Sequence, residues 1–455
     1  MRQILTLICL LGCCASCRNF EPAGFFAIRV VDEQTGRGVP LIEIRLPNEV
    51  SYWTDSAGIA ALREPSFEGR RVFISIQGHG YEFPDKVLDL RGAFVNIATG
   101  QIHEIAVRRT MIAERLYRLT GEGIYRDSVL AGLPVPATVP LLNGQVLGQD
   151  TVVGTIYQGR IFWIWGDTLG PDYWNFSVAA ATSSLQDDPD VAIHYDYFTN
   201  DHGQAKAMLP LSGGGLIWIE GLILMTDPDG RERLVATYTR QQGLKFPEEC
   251  GLALFDDKEE VFQQWGHLPC TRHHKSSHPF LYDGYWYLYP NLRVRNDWYV
   301  IQDPNQWEKR QVEIHDGAKM PSCVVWNEHR QRWIALWEDF GNVYYMEATH
   351  PEGPYGKSVR IIHHDNYNFY NVATHTFLNQ KEGQVIYLEG TYTDSFTKAP
   401  FKTPRYNYNQ IMYRLDLNDP RLREAQANNT EVRMPLSQSA VLPDLSTQEL
   451  VRVNP

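Results

Sequence analysis

The 455-residue sequence lacks several features that would announce a familiar chemistry. It has no CxxC or HExxH spacing, which removes support for a structural zinc site or a zinc-peptidase helix. Positive charge is in deficit: 42 Lys and Arg against 54 Asp and Glu leave a net charge of −12, whereas a nucleic-acid partner demands a basic surface. An acidic polymer is disfavoured on the same ground, although Arg272, His273, His274 and Lys275 form one local basic patch able to meet an anionic group. Past the first twenty residues, no stretch approaches the ~20 apolar residues that a membrane-spanning helix needs. Cysteine is scarce too. Four of the seven (Cys9, Cys13, Cys14 and Cys17) fall in the leader, and the remaining three, Cys250, Cys270 and Cys323, cannot all pair with one another. A Cys250–Cys270 bridge and buried free thiols are both open.

What the chain does have begins with "MRQILTLICLLGCCASCRNF": one early Arg, a short apolar run from Ile4 to Leu11, then small residues and cysteines. This is the pattern of an export signal over residues 1–17 rather than of a spanning helix. "LLGC" at residues 10–13 resembles a bacterial lipobox, which implies lipidation of Cys13; ordinary cleavage near Ser16 is the alternative. The expected location is therefore outside the cytoplasm, as a periplasmic or outer-membrane lipoprotein or an extracellular protein, touching membrane only through a lipid anchor. Aromatic residues are plentiful, with 12 Trp, 24 Tyr and 19 Phe, and suit both strands and the flat faces of sugar rings.

Residues 24–108 read as short alternating strands separated by Gly-rich turns, including "FFAIRVVDEQTGRGVPLIEIRL" and "VSYWTDSAGIAAL", the mark of an Ig-like or transthyretin-like β-sandwich. Asp32, Asp55 and His79 read there as turn residues rather than ligands. Residues 109–140 begin with helical periodicity and end in Pro134, Pro136 and Pro140, predicting a connector helix and a Pro-rich linker. From 141 to 417 the pattern becomes five hairpins whose first strands start near residues 150, 217, 277, 322 and 372. That spacing fits four-stranded propeller blades, five by this count, without distinguishing five from six. Residues 418–455 form a polar, weakly patterned tail, either wrapped on a domain or disordered. The expected fold class is thus all-β: an N-terminal sandwich followed by a five-bladed β-propeller.

The first hairpin, "GQDTVVGTIYQGRIFWIWGDT", carries the chemistry. If Gln158-Gly159 is its two-residue turn, Tyr157 pairs with Arg160 and Asp150 falls opposite Asp167. Opposed residues share a face with Cβ atoms about 4.5–5.5 Å apart, a separation usable by a retaining glycosidase. Repulsion between two such carboxylates raises one pKa, so an acid and a base can coexist near neutrality. The alternative is ordinary turn chemistry at "GD". Glu220 sits in the apolar run "IWIEGLIL", where a carboxylate needs a cleft or a partner such as Arg240. Trp218, His278, Asn371, His375 and Glu389 occupy comparable ends of the other hairpins, with Glu389 expected near His375. Together with Arg240 they make a polar ring expected to bind substrate through its hydroxyls.

The "VVDEQTGRGVP…YWTDSAGIAAL" segment resembles the carboxypeptidase regulatory-like modules appended to many exported enzymes. The "D…G…WIWGDT" hairpin resembles the five-bladed propeller glycoside hydrolases, which include enzymes acting on arabinan and other furanosides, and their relatives of unknown function. That resemblance implies an inner-strand aspartate of blade one as base or nucleophile, carried over to Asp150, and a glutamate from a later blade as acid. Asp167 matches the acidic end of the hairpin and Glu220 is the best-placed glutamate, while the Asp-Pro opening usual in the family is missing here. The expected function is hydrolysis of a glycosidic bond in a polysaccharide or oligosaccharide, with catalytic Asp150, Asp167 and Glu220 and no cofactor. No spacing argues for a divalent cation in the central channel, though Asp, Glu and His could hold one there. The rival readings are a non-catalytic glycan-binding or scaffold propeller, and a polysaccharide lyase using His278 or His375 with a Tyr.

Overall fold

The computed structural model describes residues 24–87, 89–171, 177–270, 278–289, 291–314 and 317–426. The leader with Cys13, the Arg272–Lys275 patch and the tail beyond 426 lie outside the described residues.

The first module is built from nine strands. Phe26–Asp32 pairs antiparallel with Ile59–Leu62 and parallel with Ile102–Arg109, while Arg71–Gly78 pairs with Ile42–Arg45 and Leu90–Asn96. Alternation decides the faces: Val72, Ile74 and Ile76 point into the core while the residues between them stay more exposed.

Five four-stranded antiparallel sheets follow, each starting at its inner strand. Blade one comprises Val152–Tyr157, Arg160–Trp165, Ala179–Ser183 and Asp196–Tyr197. Blade two comprises Leu216–Thr226, Glu232–Gln241, Glu249–Asp256 and Val261–Leu268. Blade three runs Phe280–Tyr282, Tyr285–Tyr289, Leu292–Arg295 and Glu308–Lys309, and blade four Cys323–Asn327, Arg332–Asp339, Asn342–Ala348 and Val359–His363. Blade five takes Asn368–Thr374, Val385–Thr393 and Asn409–Asp416, and receives its outer strand, Glu114–Arg118, from before blade one. Five is therefore the blade count. A Cys250–Cys270 disulfide ties the third strand of blade two to the second residue past its fourth, and Cys323 is a buried free thiol.

The expected connector helix is corrected at Glu114–Arg118, which is a strand; among the described residues the sole α-helix is the five-residue Arg126–Leu130. The helical periodicity read over "AERLYR" does not hold: Glu114–Arg118 are all buried in a strand, and each charge is answered by a neighbour. Glu114 accepts from Arg414, the Arg118 guanidinium donates to the carbonyls of Thr120 and Glu122, and Arg115 donates to the carbonyls of Pro40 and His79 and to Tyr413 Oη. Through Arg115 the blade-five edge grips the first module. One apolar core continues from Ile28, Ile44 and Ile74 of that module to Ile334, Tyr392 and Tyr413 of blades four and five, and Leu422 and Ala425 after the last strand join it.

Candidate active site

Gln158 and Gly159 have φ of 49° and 76°, the left-handed pair of a two-residue turn, and Tyr157 pairs with Arg160 as the sequence suggests. The same register continues past a break, with Gln149 opposite Thr168. Asp150 and Asp167 therefore oppose each other just outside the inner strand: Asp150 N–H donates to the Asp167 carbonyl at 3.1 Å and Gly166 N–H to the Asp150 carbonyl at 2.9 Å. Thr151, at φ 48°, interrupts the ladder and turns Asp150 out of it.

The two carboxylates do not touch through a hydrogen bond; each has its own donors. Asp167 N–H donates to Asp150 Oδ1 at 2.8 Å and Tyr370 Oη to Asp150 Oδ2 at 2.9 Å, and Tyr408 also hydrogen-bonds this carboxyl. Asp167 Oδ1 accepts from Trp218 Nε1 at 2.6 Å, so Trp218 is an anchor for the second carboxylate and not core filling. Desolvation lifts the Asp150 pKa to about 7, the negative charge of Asp167 adds to the rise, and the phenols and the Asp167 N–H pull against it.

Glu220 reaches the interior by a β-bulge. Ile219 pairs with Tyr238 and Gly221 with Thr237, leaving Glu220 as the extra residue between them. Its buried carboxyl accepts from Thr239 Oγ1 at 3.0 Å, and burial raises its pKa to about 7. Arg240 is not its partner: that guanidinium pairs with Glu249 at 2.5 Å and donates to the Ser212 carbonyl. The substrate-binding role expected of Arg240 thus meets a side chain already engaged in the wall of blade two.

Asn371, φ 51°, joins the Asp150 cluster through its side-chain amide, which donates to Thr151 Oγ1. Its backbone N–H donates to Glu338 Oε1 at 3.3 Å, and Ser322 Oγ donates to Glu338 Oε2 at 2.7 Å. Tyr370, Tyr408 and Glu338 were missed in the sequence, where nothing local marks them. Their roles come from blades one, four and five meeting at the axis.

The remaining candidates form a separate cluster. His375 Nε2 and Glu389 Oε1 lie 2.9 Å apart, both side chains buried, and the His375 ring packs edge-on to Trp163 and faces His278 at 5.9 Å. Trp163 pairs with Gly154, inside the inner strand, whereas Asp150 stands outside it beyond the break at Thr151. The single polar ring expected from the hairpin ends is therefore two levels: acids and Asn371 at the mouth, a His–Glu pair deeper. Burial, with His375 adding to it, lowers the His278 pKa to about 3, so that imidazole is neutral. Among the described residues no group of three His, Cys, Asp or Glu side chains is arranged to hold a metal.

A cavity of about 670 Å³ at the junction of the first module, the Pro-rich linker and blade one is lined by Arg29, Arg37, Ile59, Pro134 and Asp190, and shares no residue with the acid cluster.

No protein-family profile matches the chain, and neither does any curated protein sequence. Solved structures are similar in fold at low identity. An exo-1,5-α-L-arabinanase from a bovine ruminal metagenomic library is 10% identical over 60% of this chain and 94% of that one, with a TM-score of 0.37. For a thermostable family-43 glycoside hydrolase the figures are 9%, 61%, 92% and 0.36, and for a Bacillus subtilis arabinanase 8%, 58%, 93% and 0.35. The five-bladed architecture itself rests on the strand pairings given above.

Proposed function

We propose that the protein is an exported hydrolase of glycosidic bonds, working from the carboxyls at the mouth of the propeller. The observation that carries this reading is the pair Asp150 and Glu220: two desolvated carboxyls near a pKa of 7, one just ahead of the inner strand of blade one and the other on the neighbouring inner strand of blade two, with the Asp167–Trp218 contact joining their segments. Groups with such pKa values are half protonated at neutral pH, where general acid–base assistance is worth roughly 10²–10⁴-fold in rate. Glu220, the more buried, is the proton donor; Asp150 acts on water or the anomeric carbon; Asp167, anchored by Trp218, stands beside the cationic transition state. Arabinan and related furanosides are the first substrates to test.

One observation favours the non-catalytic alternative. Asp150 already accepts from three donors of the roughly four its carboxylate can take, as suits a recognition residue. Incubation with arabinan and other polysaccharides, followed by a reducing-end assay, separates the two. Hydrolysis by the wild type that is lost in Asp150→Asn and in Glu220→Gln supports the enzyme; binding without release of reducing ends supports the lectin-like reading. The lyase reading gains no support from His375, which is buried and bonded to Glu389.

A further inference from the structure

The face of the propeller that carries Asp150 has a property the acid cluster does not use. In an antiparallel blade the first strand starts, and the second ends, on one side, so loops entering first strands and loops joining second to third strands all lie on the Asp150 side. Large apolar side chains stand out from those loops. Leu244 and Phe246 in blade two are 76% and 52% exposed, Phe340 in blade four 68%, and Phe396 in blade five 73%. Phe340 and Phe396 also sit at φ of 41° and 61°, a backbone region that disfavours a bulky side chain and that Gly or Asn would occupy without strain. Phenyl rings presented to water from strained positions serve no packing need of the fold, and exposed apolar groups gathered on one face mark an interaction surface.

Lysines alternate with these rings in a chain whose net charge is −12. Lys245 lies between Leu244 and Phe246; Lys398 and Lys402 follow Phe396; and Lys319, paired with Asp339 at 2.7 Å, has its ammonium 5.8 Å from the Phe340 ring centre. Among the described residues Lys245, Lys398 and Lys402 form no ion pair, while of the acidic neighbours Asp339 and Glu249 are paired and Glu248 and Asp394 are not. Phe and Leu tips flanked by Lys are what a surface needs to seat in the headgroup layer, rings entering the acyl boundary and ammonium groups meeting phosphates. A sugar platform calls instead for Trp or Tyr, whose polar edge also binds hydroxyls. None of these exposed side chains is either, although the chain has 12 Trp and 24 Tyr.

We propose that this face docks on an anionic lipid surface through Phe340, Phe396, Leu244 and Phe246, so that the acid cluster opens toward the membrane. The inference stands whether or not the acids cleave anything, and it adds a protein contact to the membrane beyond the anchor expected at Cys13. The test uses the full chain, made without acylation, pelleted with vesicles of phosphatidylcholine alone or mixed with phosphatidylglycerol. The wild type should pellet with the mixed vesicles. Phe340→Ser with Phe396→Ser should lower the bound-to-free ratio about tenfold or more, and Lys398→Glu with Lys402→Glu should remove the preference for phosphatidylglycerol. The leader is common to all variants, so their differences read this face alone, and unchanged circular dichroism shows that each variant is folded. Vesicle binding that is equal in the wild type and both variants overturns the proposal. So does a Phe340/Phe396 variant that loses binding to an insoluble polysaccharide but keeps its vesicle binding, since the rim would then be a glycan platform.

Discussion

Replacing Asp150 with Asn should change how stability depends on pH, and the structure sets both sign and scale. In the unfolded chain the carboxyl titrates near 3.8; in the fold, burial holds it near 7. Between those values the native state keeps a proton that the unfolded state has lost. Stability therefore falls as pH rises through the window from about 4 to about 7, and levels off above it. A shift of about three units corresponds to about 4 kcal/mol, reduced to about 2 kcal/mol once water at the partly exposed edge of Asp150 screens the charge. Asn cannot ionise, and it leaves one of the three donors on this carboxyl without an acceptor, a cost of about 1–3 kcal/mol that is the same at every pH. Urea unfolding of both proteins from pH 4 to pH 8 isolates the carboxyl together with its coupling to Asp167, because titrating groups not coupled to it cancel in the difference. The wild type should lose about 2–4 kcal/mol relative to the variant across that range. Parallel curves would refute the claim that Asp150 is held protonated by its surroundings, and with it the acid–base reading of the mouth.

Glu220→Gln should show the same differential over a window from about 4.5 to about 7, again by urea unfolding, since burial raises this carboxyl too. Tyr370→Phe removes the donor to Asp150 Oδ2, a hydrogen bond to a charged group worth about 1.5–3 kcal/mol; the Asp150 pKa should rise by about 1–2 units, seen by carboxyl-carbon NMR titration. Arg115→Met strips Pro40, His79 and Tyr413 of their buried donor and should cost about 3–5 kcal/mol, with the first module and the propeller still unfolding in one transition. Cys250→Ser with Cys270→Ser opens a loop of 20 residues and should cost about 3 kcal/mol by chain entropy, measured by denaturant unfolding.

The opposition of Asp150 and Asp167 was legible because Gln158-Gly159 declares its turn, and a two-residue turn holds every later pair to one register even across the break at Thr151. Glu220 was legible as an acid in an apolar run. Its orientation was not, because the bulge that supplies it leaves no mark in "IWIEGLIL". Tyr370 stands 220 residues from the carboxyl it holds, a contact that exists once blade five closes against blade one. The helical reading of Glu114–Arg118 failed because all five positions of the strand are buried, so no two-residue alternation marks it, and Arg115 and Arg118 are spent on buried carbonyls.

The outer strand of blade five has a practical corollary for anyone cutting this chain. Glu114–Arg118 leaves the ribosome before any blade and waits until Asn409–Asp416 has been made before it can pair. A fragment begun at residue 141, where the hairpin pattern starts, would leave the last blade one strand short, with a raw edge open to pairing with other molecules. Expression of the propeller should therefore begin upstream of Glu114. Any such fragment also uncovers the apolar wall on which the first module sits, so the smallest well-behaved unit includes that module.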